Sequence, residues 1–237
     1  MKIYKVGLIA FLALFFFSCD KETEGLSRST YYVAFEILGD NPAIVQVDEP
    51  YVDAGFIATE QGKDVSSKVT VNSNVDYEAM GMYKVEYTSP PNVDGLVSRA
   101  IRDVIVCNPS VTTDLSGKYT GQAGTYRLAL ATGAEVPYPG YHATITYLAP
   151  GFFQINDFFG GYYAERQYPN YGYAVMGMGG YFALNEDNTI TLISSYIPAW
   201  GDGLDKLENG KYDPETGEIS WGAYYAGNYV FYVKLKI

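Results

Sequence analysis

Aromatic side chains in two polar, turn-rich segments are the residues best suited to chemistry in this sequence. In the first segment, 160–173, Pro, Asn and Gly residues predict a loop, and the candidates are Tyr162, Tyr163, Tyr171 and Tyr173. In the second, 196–203, the candidates are Tyr196, Trp200 and Asp202. Flat Tyr and Trp rings match the apolar C–H faces of sugars, while nearby carboxylates and amides bind sugar hydroxyls. The two segments therefore predict a carbohydrate-binding surface.

Core packing is the alternative explanation for each of these rings. Tyrosine is favoured on β-strands, so a Tyr-rich segment is also typical of ordinary aromatic packing. Trp221 shares a strand face with Ile219 and Ala223, which predicts a core position for it. Trp200 lies between turn residues instead, and the pattern fits an exposed and a buried position equally well.

Catalytic constellations are poorly represented. His142 is the single histidine and falls in the middle of an alternating segment, which predicts a solvated strand residue. The sequence contains no Gly-x-Ser-x-Gly elbow, dinucleotide fingerprint or phosphate-binding loop. Asp202, Asp205 and Glu208 could offer oxygen ligands to calcium, but their spacing matches no EF-hand and favours a solvated acidic loop. We therefore expect no catalytic activity, no cofactor and no metal.

The N-terminus predicts export. Lys2 and Lys5 precede an apolar run, 6–17, that is far shorter than the ~20 residues of a membrane-spanning helix, so residues 1–18 are predicted to be a signal peptide. Its removal takes away two positive charges and no negative ones, and the net charge changes from −11 to −13. So acidic a chain repels nucleic acid and anionic lipid headgroups. Cys107 then has no second structural cysteine to pair with and is predicted to be a small buried hydrophobe.

The end of the apolar run resembles the lipobox of bacterial lipoproteins. Phe17-Ser18-Cys19 places a small residue directly before a cysteine. The resemblance implies that Cys19 is lipidated and that the lipid attaches the chain to the outer membrane. The polar stretch after Cys19 has no periodicity, so residues 19–30 are predicted to form a flexible tether. The acidic charge of the chain predicts that the lipid, and not a basic patch, provides the attachment. The acidic residues after Cys19 are similar to surface-export signals of Gram-negative lipoproteins. The cell surface is thus the expected location, with the periplasmic face as the alternative.

Residues 31–109 have the sequence pattern of a small β-sandwich. Tyr83, Val85 and Tyr87 alternate with polar residues, and turn residues recur about every ten positions. The segment resembles a bacterial immunoglobulin-like domain, and the resemblance implies a spacer or an interaction module. The residues that carry it are Tyr51, Asp53, Gly55, Ala58, Gly62 to Ser66, Val69, Val71, Val75, Gly81, Tyr83, Val85, Tyr87, Thr88 and Arg102.

Residues 112–237 hold the aromatic excess, with 17 of the 24 tyrosines and both tryptophans. Alternating segments and the turn 213–217 predict about eight antiparallel strands, closed into a barrel or folded as a barrel-like sandwich. The fold class is therefore all-β. The opening 115–119 and the repeated hairpins resemble lipocalin-like barrels, and the whole layout resembles two-domain surface lipoproteins of polysaccharide-utilisation systems.

These observations together predict a non-catalytic surface lipoprotein that binds or presents carbohydrate for an outer-membrane glycan uptake system. Its expected partners are a polysaccharide or oligosaccharide and outer-membrane transport proteins. Two alternatives remain open. One is a structural or adhesin-type lipoprotein that contacts other proteins, and the other is a lipocalin-like carrier with a small apolar ligand.

Overall fold

A computed structural model of the protein describes residues 30–237. The predicted signal peptide, Cys19 and the predicted tether as far as residue 29 lie outside the described residues. Within the described range, none of the helices is long and apolar enough to cross a membrane.

The N-terminal domain is an immunoglobulin-like pair of sheets. Its strands are β1 (Ala34–Ile37), β2 (Ala43–Gln46), β3 (Phe56–Glu60), β4 (Lys63–Asp64), β5 (Thr70–Ser73), β6 (Gly81–Thr88) and β7 (Arg99–Cys107), with a short 3-10 helix at Ser66–Lys68. One sheet has the order β1-β3-β4 and the other β2-β7-β6-β5. Strand β2 runs parallel to β7, and the other pairs are antiparallel.

A buried arginine organises the end of this domain and explains part of the sequence motif. Arg102 is 1% exposed, and its Nε lies 3.0 Å from the Asp53 carboxylate. Its guanidinium also donates to the carbonyl oxygens of Leu38 and Gly55, and the Tyr87 hydroxyl donates to Asp53. A buried cation is tolerated only when it is paired and hydrogen-bonded in this way. These motif residues therefore serve the fold.

The C-terminal domain is one curled antiparallel sheet. Its strands are β8 (Gly117–Gly121), β9 (Tyr126–Ala129), β10 (Ala134–Pro137), β11 (His142–Ala149), β12 (Phe152–Ile155), β13 (Gly179–Leu184), β14 (Ile190–Tyr196), β15 (Lys206–Asp213), β16 (Glu218–Tyr225) and β17 (Tyr229–Lys236). Eight strands follow one another in the order β10-β9-β17-β8-β11-β12-β13-β14, and β15 and β16 extend from β17. The sheet curls far enough that β14 and β15 approach at a bridge between Thr189 and Lys211. The predicted all-β class and barrel-like sheet are confirmed as a half-barrel.

Aromatic side chains fill the concave side of the half-barrel. Phe158, Phe159 and Tyr162, from the connection between β12 and β13, pack there against Phe231 and Trp221. The connection also forms a π-helix at Tyr162–Gln167 and a short helix, α1, at Tyr173–Met176. A filled interior does not match the open cavity that the lipocalin-like carrier alternative expects.

The two domains share an apolar cluster. Ile105 and Cys107 on β7 pack with Ala149 and Phe152 of the C-terminal sheet, and all four are at most 1% exposed. The buried position predicted for Cys107 is thus confirmed. Phe152 and Gln154 lie on the convex face of β12, because the intervening Phe153 belongs to the concave core. The immunoglobulin-like domain therefore covers one end of that convex face.

Candidate functional site

A groove of about 480 Å³ lies on the convex face of the C-terminal sheet, next to the part that the immunoglobulin-like domain covers. Gln154, Tyr181 and Ser194 stand opposite one another across β12, β13 and β14, and all three line it. The rest of the lining is Ile155, Asn156, Tyr173, Ala174, Gly177, Gly179, Gly180, Ser195, Tyr196 and Pro198. The volume lies within the range of small-molecule sites.

Three tyrosine rings form the walls, and each is held differently. Tyr181 stacks on Phe152 with ring centroids 5.9 Å apart, so the domain interface supports this wall. Tyr173 on α1 directs its hydroxyl away to Glu165 Oε1 at 2.7 Å and to the His142 carbonyl oxygen at 2.6 Å. Its ring, not its hydroxyl, is therefore what the groove can use. Tyr196 is 55% exposed and is the outermost of the three.

The polar atoms of the lining suit hydroxyl ligands. The Gln154 side chain is exposed, and Asn156 accepts the Thr144 N–H through Oδ1 at 2.7 Å, which directs its amide nitrogen elsewhere. Ser195 Oγ accepts the Leu204 N–H at 2.8 Å. Amides and hydroxyls both donate and accept hydrogen bonds, as sugar hydroxyls do. The groove thus combines aromatic faces with neutral hydrogen-bonding groups.

Glycines let the backbone form the floor of the groove. A Cβ on Gly180 would lie 2.1 Å from the Ser194 carbonyl oxygen, and a Cβ on Gly177 would lie 2.5 Å from that of Asn156. Strand β14 and the 156 segment could not approach so closely around any larger residue. The Gly-rich run 177–180 therefore shapes this surface.

An aromatic ridge of Tyr168, Tyr171 and Trp200 stands beside the groove. The three side chains are 41%, 60% and 45% exposed, and the centroid of Tyr168 lies 6.5 Å from those of both neighbours. The Ala199 N–H donates to the Val175 carbonyl oxygen, which ties the loop of Trp200 to α1. The groove and the ridge are therefore both connected to this short helix.

The structure separates the residues that the sequence nominated. Tyr173 and Tyr196 line the groove, and Trp200 and Tyr171 belong to the ridge. Asp202 is exposed but accepts the Tyr225 hydroxyl at 3.0 Å, so its carboxylate braces the loop.

Tyr162 and Tyr163 require a correction. They are only 2% and 9% exposed and do not lie in the predicted loop, because Tyr162–Gln167 is a π-helix whose buried residues pack in the half-barrel. Buried Asp157 holds the start of this segment inside by accepting the N–H groups of Phe159, Gly161 and Met178. The ring of Tyr162 packs on Tyr138 and Phe231, which leaves it no face for a ligand.

Two further residues have clear positions. Trp221 is 3% exposed and donates to the Phe158 carbonyl oxygen at 2.8 Å, so its predicted core position is confirmed. His142 is not the fully solvated residue that the sequence predicted. It begins β11, is half-buried, and its Nδ1 lies 3.0 Å from Glu165.

Gln154, Asn156, Tyr181 and the two serines of β14 were missed by the sequence reasoning. The available signal was Gln154, a polar residue between Phe153 and Ile155 in an otherwise apolar strand. Such a residue must face solvent or a site. As for metals, no three or more His, Cys, Asp or Glu side chains between residues 30 and 237 are grouped to hold one.

Comparisons with known proteins divide the chain in two. A family model described as a C-terminal domain matches residues 108–237, more than half of the chain. A model described as a bacterial surface protein, Ig-like domain, matches residues 35–106. The crystal structure of the lipoprotein BT2262 from Bacteroides thetaiotaomicron is 35% identical in sequence, with 87% of this chain and 100% of that chain covered and a TM-score of 0.48. None of the curated proteins matches this chain.

Proposed function

The chain belongs to the family that this C-terminal domain defines and carries the immunoglobulin-like domain of bacterial surface proteins, and on that premise we propose that it is a carbohydrate-binding surface lipoprotein. The single observation that carries the proposal is the groove, in which three tyrosine rings surround Gln154, Asn156 and two serines. Aromatic faces bordered by neutral donors and acceptors are what a sugar ring requires. The proposed role is binding without catalysis.

The aromatic ridge extends the proposed site. A polysaccharide is longer than the groove, so sugars beyond those in the groove would pass over α1 toward Trp200. Exposed rings at the rim of a site contact a ligand at low entropic cost, because Tyr and Trp have few rotatable bonds. We propose that the ridge contributes affinity and that the groove determines which sugar is bound.

The proposed location follows from the N-terminal sequence. Lipidation of Cys19 would attach the chain to the outer membrane, and the tether would place the groove where glycan reaches the surface. Presentation of that glycan to an outer-membrane transport protein is part of the proposal. Cys19→Ala is expected to release the protein from the membrane or to block its processing. Correct processing with continued membrane attachment would refute the anchor.

Affinity electrophoresis over a polysaccharide panel tests the proposed function. The full chain, in a detergent without a sugar headgroup, should be retarded by at least one glycan. Tyr196→Ala should remove the retardation, whereas Tyr32→Ala is a matched control because Tyr32, 59% exposed, lies in the other domain. Retardation that persists in Tyr196→Ala would place the site elsewhere.

The protein-contact alternative keeps one specific observation. Ile44 on β2 and Val52 are 55% and 84% exposed beside a second surface groove of the immunoglobulin-like domain, an arrangement that suits a contact with another protein. If no glycan retards the chain, the deciding experiment is co-purification of partner proteins from membranes with the wild type and with the Val52→Asp variant. Loss of a partner in that variant would establish the alternative.

A further inference from the structure

The groove offers a ligand only uncharged side chains. Its lining consists of tyrosines, an apolar Ile, Ala and Pro set, amides, serine hydroxyls and glycine backbone, and none of the described residues that line it is a lysine or an arginine. A carboxylate or sulfate that loses its water in such a place would gain no cation in return. An uncompensated charge of this kind is costly to bury.

A carboxylate stands directly behind the groove. Glu165 accepts the Tyr173 hydroxyl at 2.7 Å and also lies 3.0 Å from His142 Nδ1, so this carboxylate stands immediately behind that wall. Burial and the hydrogen bond to Glu165 raise the pKa of the Tyr173 hydroxyl. A second negative charge is therefore disfavoured at this wall.

Two of the positive side chains of this domain, Arg166 and Arg127, are engaged with aromatic rings. The Arg166 guanidinium lies over the Tyr162 ring, 5.3 Å from its centroid. Arg127 lies over Tyr162 and Tyr229, at 5.1 and 4.6 Å. These cations face aromatic rings of the interior and its rim instead of the convex face, and the net charge of −11 adds a general repulsion of anions.

We infer that the groove binds an uncharged glycan and discriminates against uronic acids and sulfated sugars. This inference rests on the proposed function and adds the ligand class to it. Neutral hydroxyls would pair with Gln154, Asn156 and Ser194, while an anionic group at the same position would face Glu165 across the Tyr173 ring. The discrimination should amount to at least about tenfold in affinity, which corresponds to a difference of about 1.4 kcal/mol in binding free energy.

Matched pairs of polysaccharides test this inference. Each anionic glycan of the panel, such as an alginate or a polygalacturonate, is run beside its carboxyl-reduced, uncharged derivative, and neutral glycans complete the panel. The wild-type full chain and Tyr196→Ala are compared at low and high salt. The expected result is retardation by uncharged members only, unchanged by salt and lost in Tyr196→Ala.

The possible failures are distinguishable. Retardation by an anionic glycan, to an extent equal to or greater than by its reduced partner, would overturn the inference and leave carbohydrate binding in place. Absence of retardation by every member would refute the proposed function and the inference with it. Retardation by uncharged members that Tyr196→Ala does not remove would also overturn the inference, because the discriminating site would not be this groove.

Discussion

Gly180 offers a sharp test of how the groove is built, because its neighbour Gly179 serves as an internal control. A Cβ at position 180 would lie 2.1 Å from the Ser194 carbonyl oxygen and 2.8 Å from Ser195 Cα, both of which are backbone atoms. A Cβ at position 179 would meet nothing closer than 3.5 Å, which is an ordinary contact. Gly180→Ala should therefore disrupt the structure, whereas Gly179→Ala should be tolerated.

The size of the effect follows from the distances. To lengthen the 2.1 Å contact to about 3.4 Å, β13 and β14 must move apart by roughly 1.3 Å at this point. Overpacking of this kind costs about 1–3 kcal/mol, and each weakened ladder hydrogen bond adds about 0.5–1.5 kcal/mol. We expect Gly180→Ala to lose about 3 kcal/mol, and Gly179→Ala to be unchanged or more stable by up to about 1 kcal/mol.

Thermal unfolding measures this difference. A loss of about 3 kcal/mol should lower the Tm by about 6–12 °C in a chain of this size. Gly180→Ala should also lose glycan retardation, since Ser194 and Ser195 line the groove. A Gly180→Ala protein that melts within about 2 °C of the wild type would show that the strands are not packed this closely. Equal losses in both variants would show that the contact distance is not the cause.

Three other variants test the core, the titration of the buried acid and the domain interface. Trp221→Phe removes the donor to the Phe158 carbonyl oxygen and should cost about 1–3 kcal/mol in urea unfolding; an unchanged midpoint would contradict the bond. Burial raises the pKa of Asp157 from 3.8 to about 7 despite three N–H bonds, so the unfolded chain releases a proton that the folded protein keeps. The stability gained from this retained proton is complete below about pH 4 and is lost as the pH rises to about 7, by about 4 kcal/mol in all. Asp157→Asn should lack this pH dependence of the free energy of unfolding, and identical pH profiles of the variant and the wild type would refute the raised pKa of Asp157. Phe152→Ala should cost about 3–5 kcal/mol and weaken retardation through Tyr181, whereas full stability in urea would show that the domain interface is not packed.

The all-β class and the core strands could be predicted from the sequence, because apolar and polar residues alternate along the strands. Trp221 is an example, since its place on the same strand face as Ile219 and Ala223 was enough to predict that it is buried. Asp157 shows the limit. An acidic residue between Asn156 and Phe158 gave no hint that three backbone N–H groups donate to it, and the π-helix that follows has no periodicity that a sequence pattern reveals.

The site could be predicted only in part from the sequence. Tyr173 and Tyr196 were nominated by residue type, but the groove also needs Gln154, Tyr181 and Ser194, which lie on three strands and meet only through sheet register. Register between distant strands is set by the whole sheet and by the bulge between Tyr181 and Phe182. Burial of Tyr162 likewise depended on which chain segment filled the half-barrel, a choice that local composition does not encode.

The central claim is that the groove binds carbohydrate, and a crystal structure of the full chain with an oligosaccharide from a retarding glycan tests it most directly. We expect a sugar ring against Tyr181 or Tyr196, with hydroxyls hydrogen-bonded to Gln154 or Asn156. An oligosaccharide bound away from Gln154, Tyr181 and Tyr196 would show that the groove is not the carbohydrate-binding site.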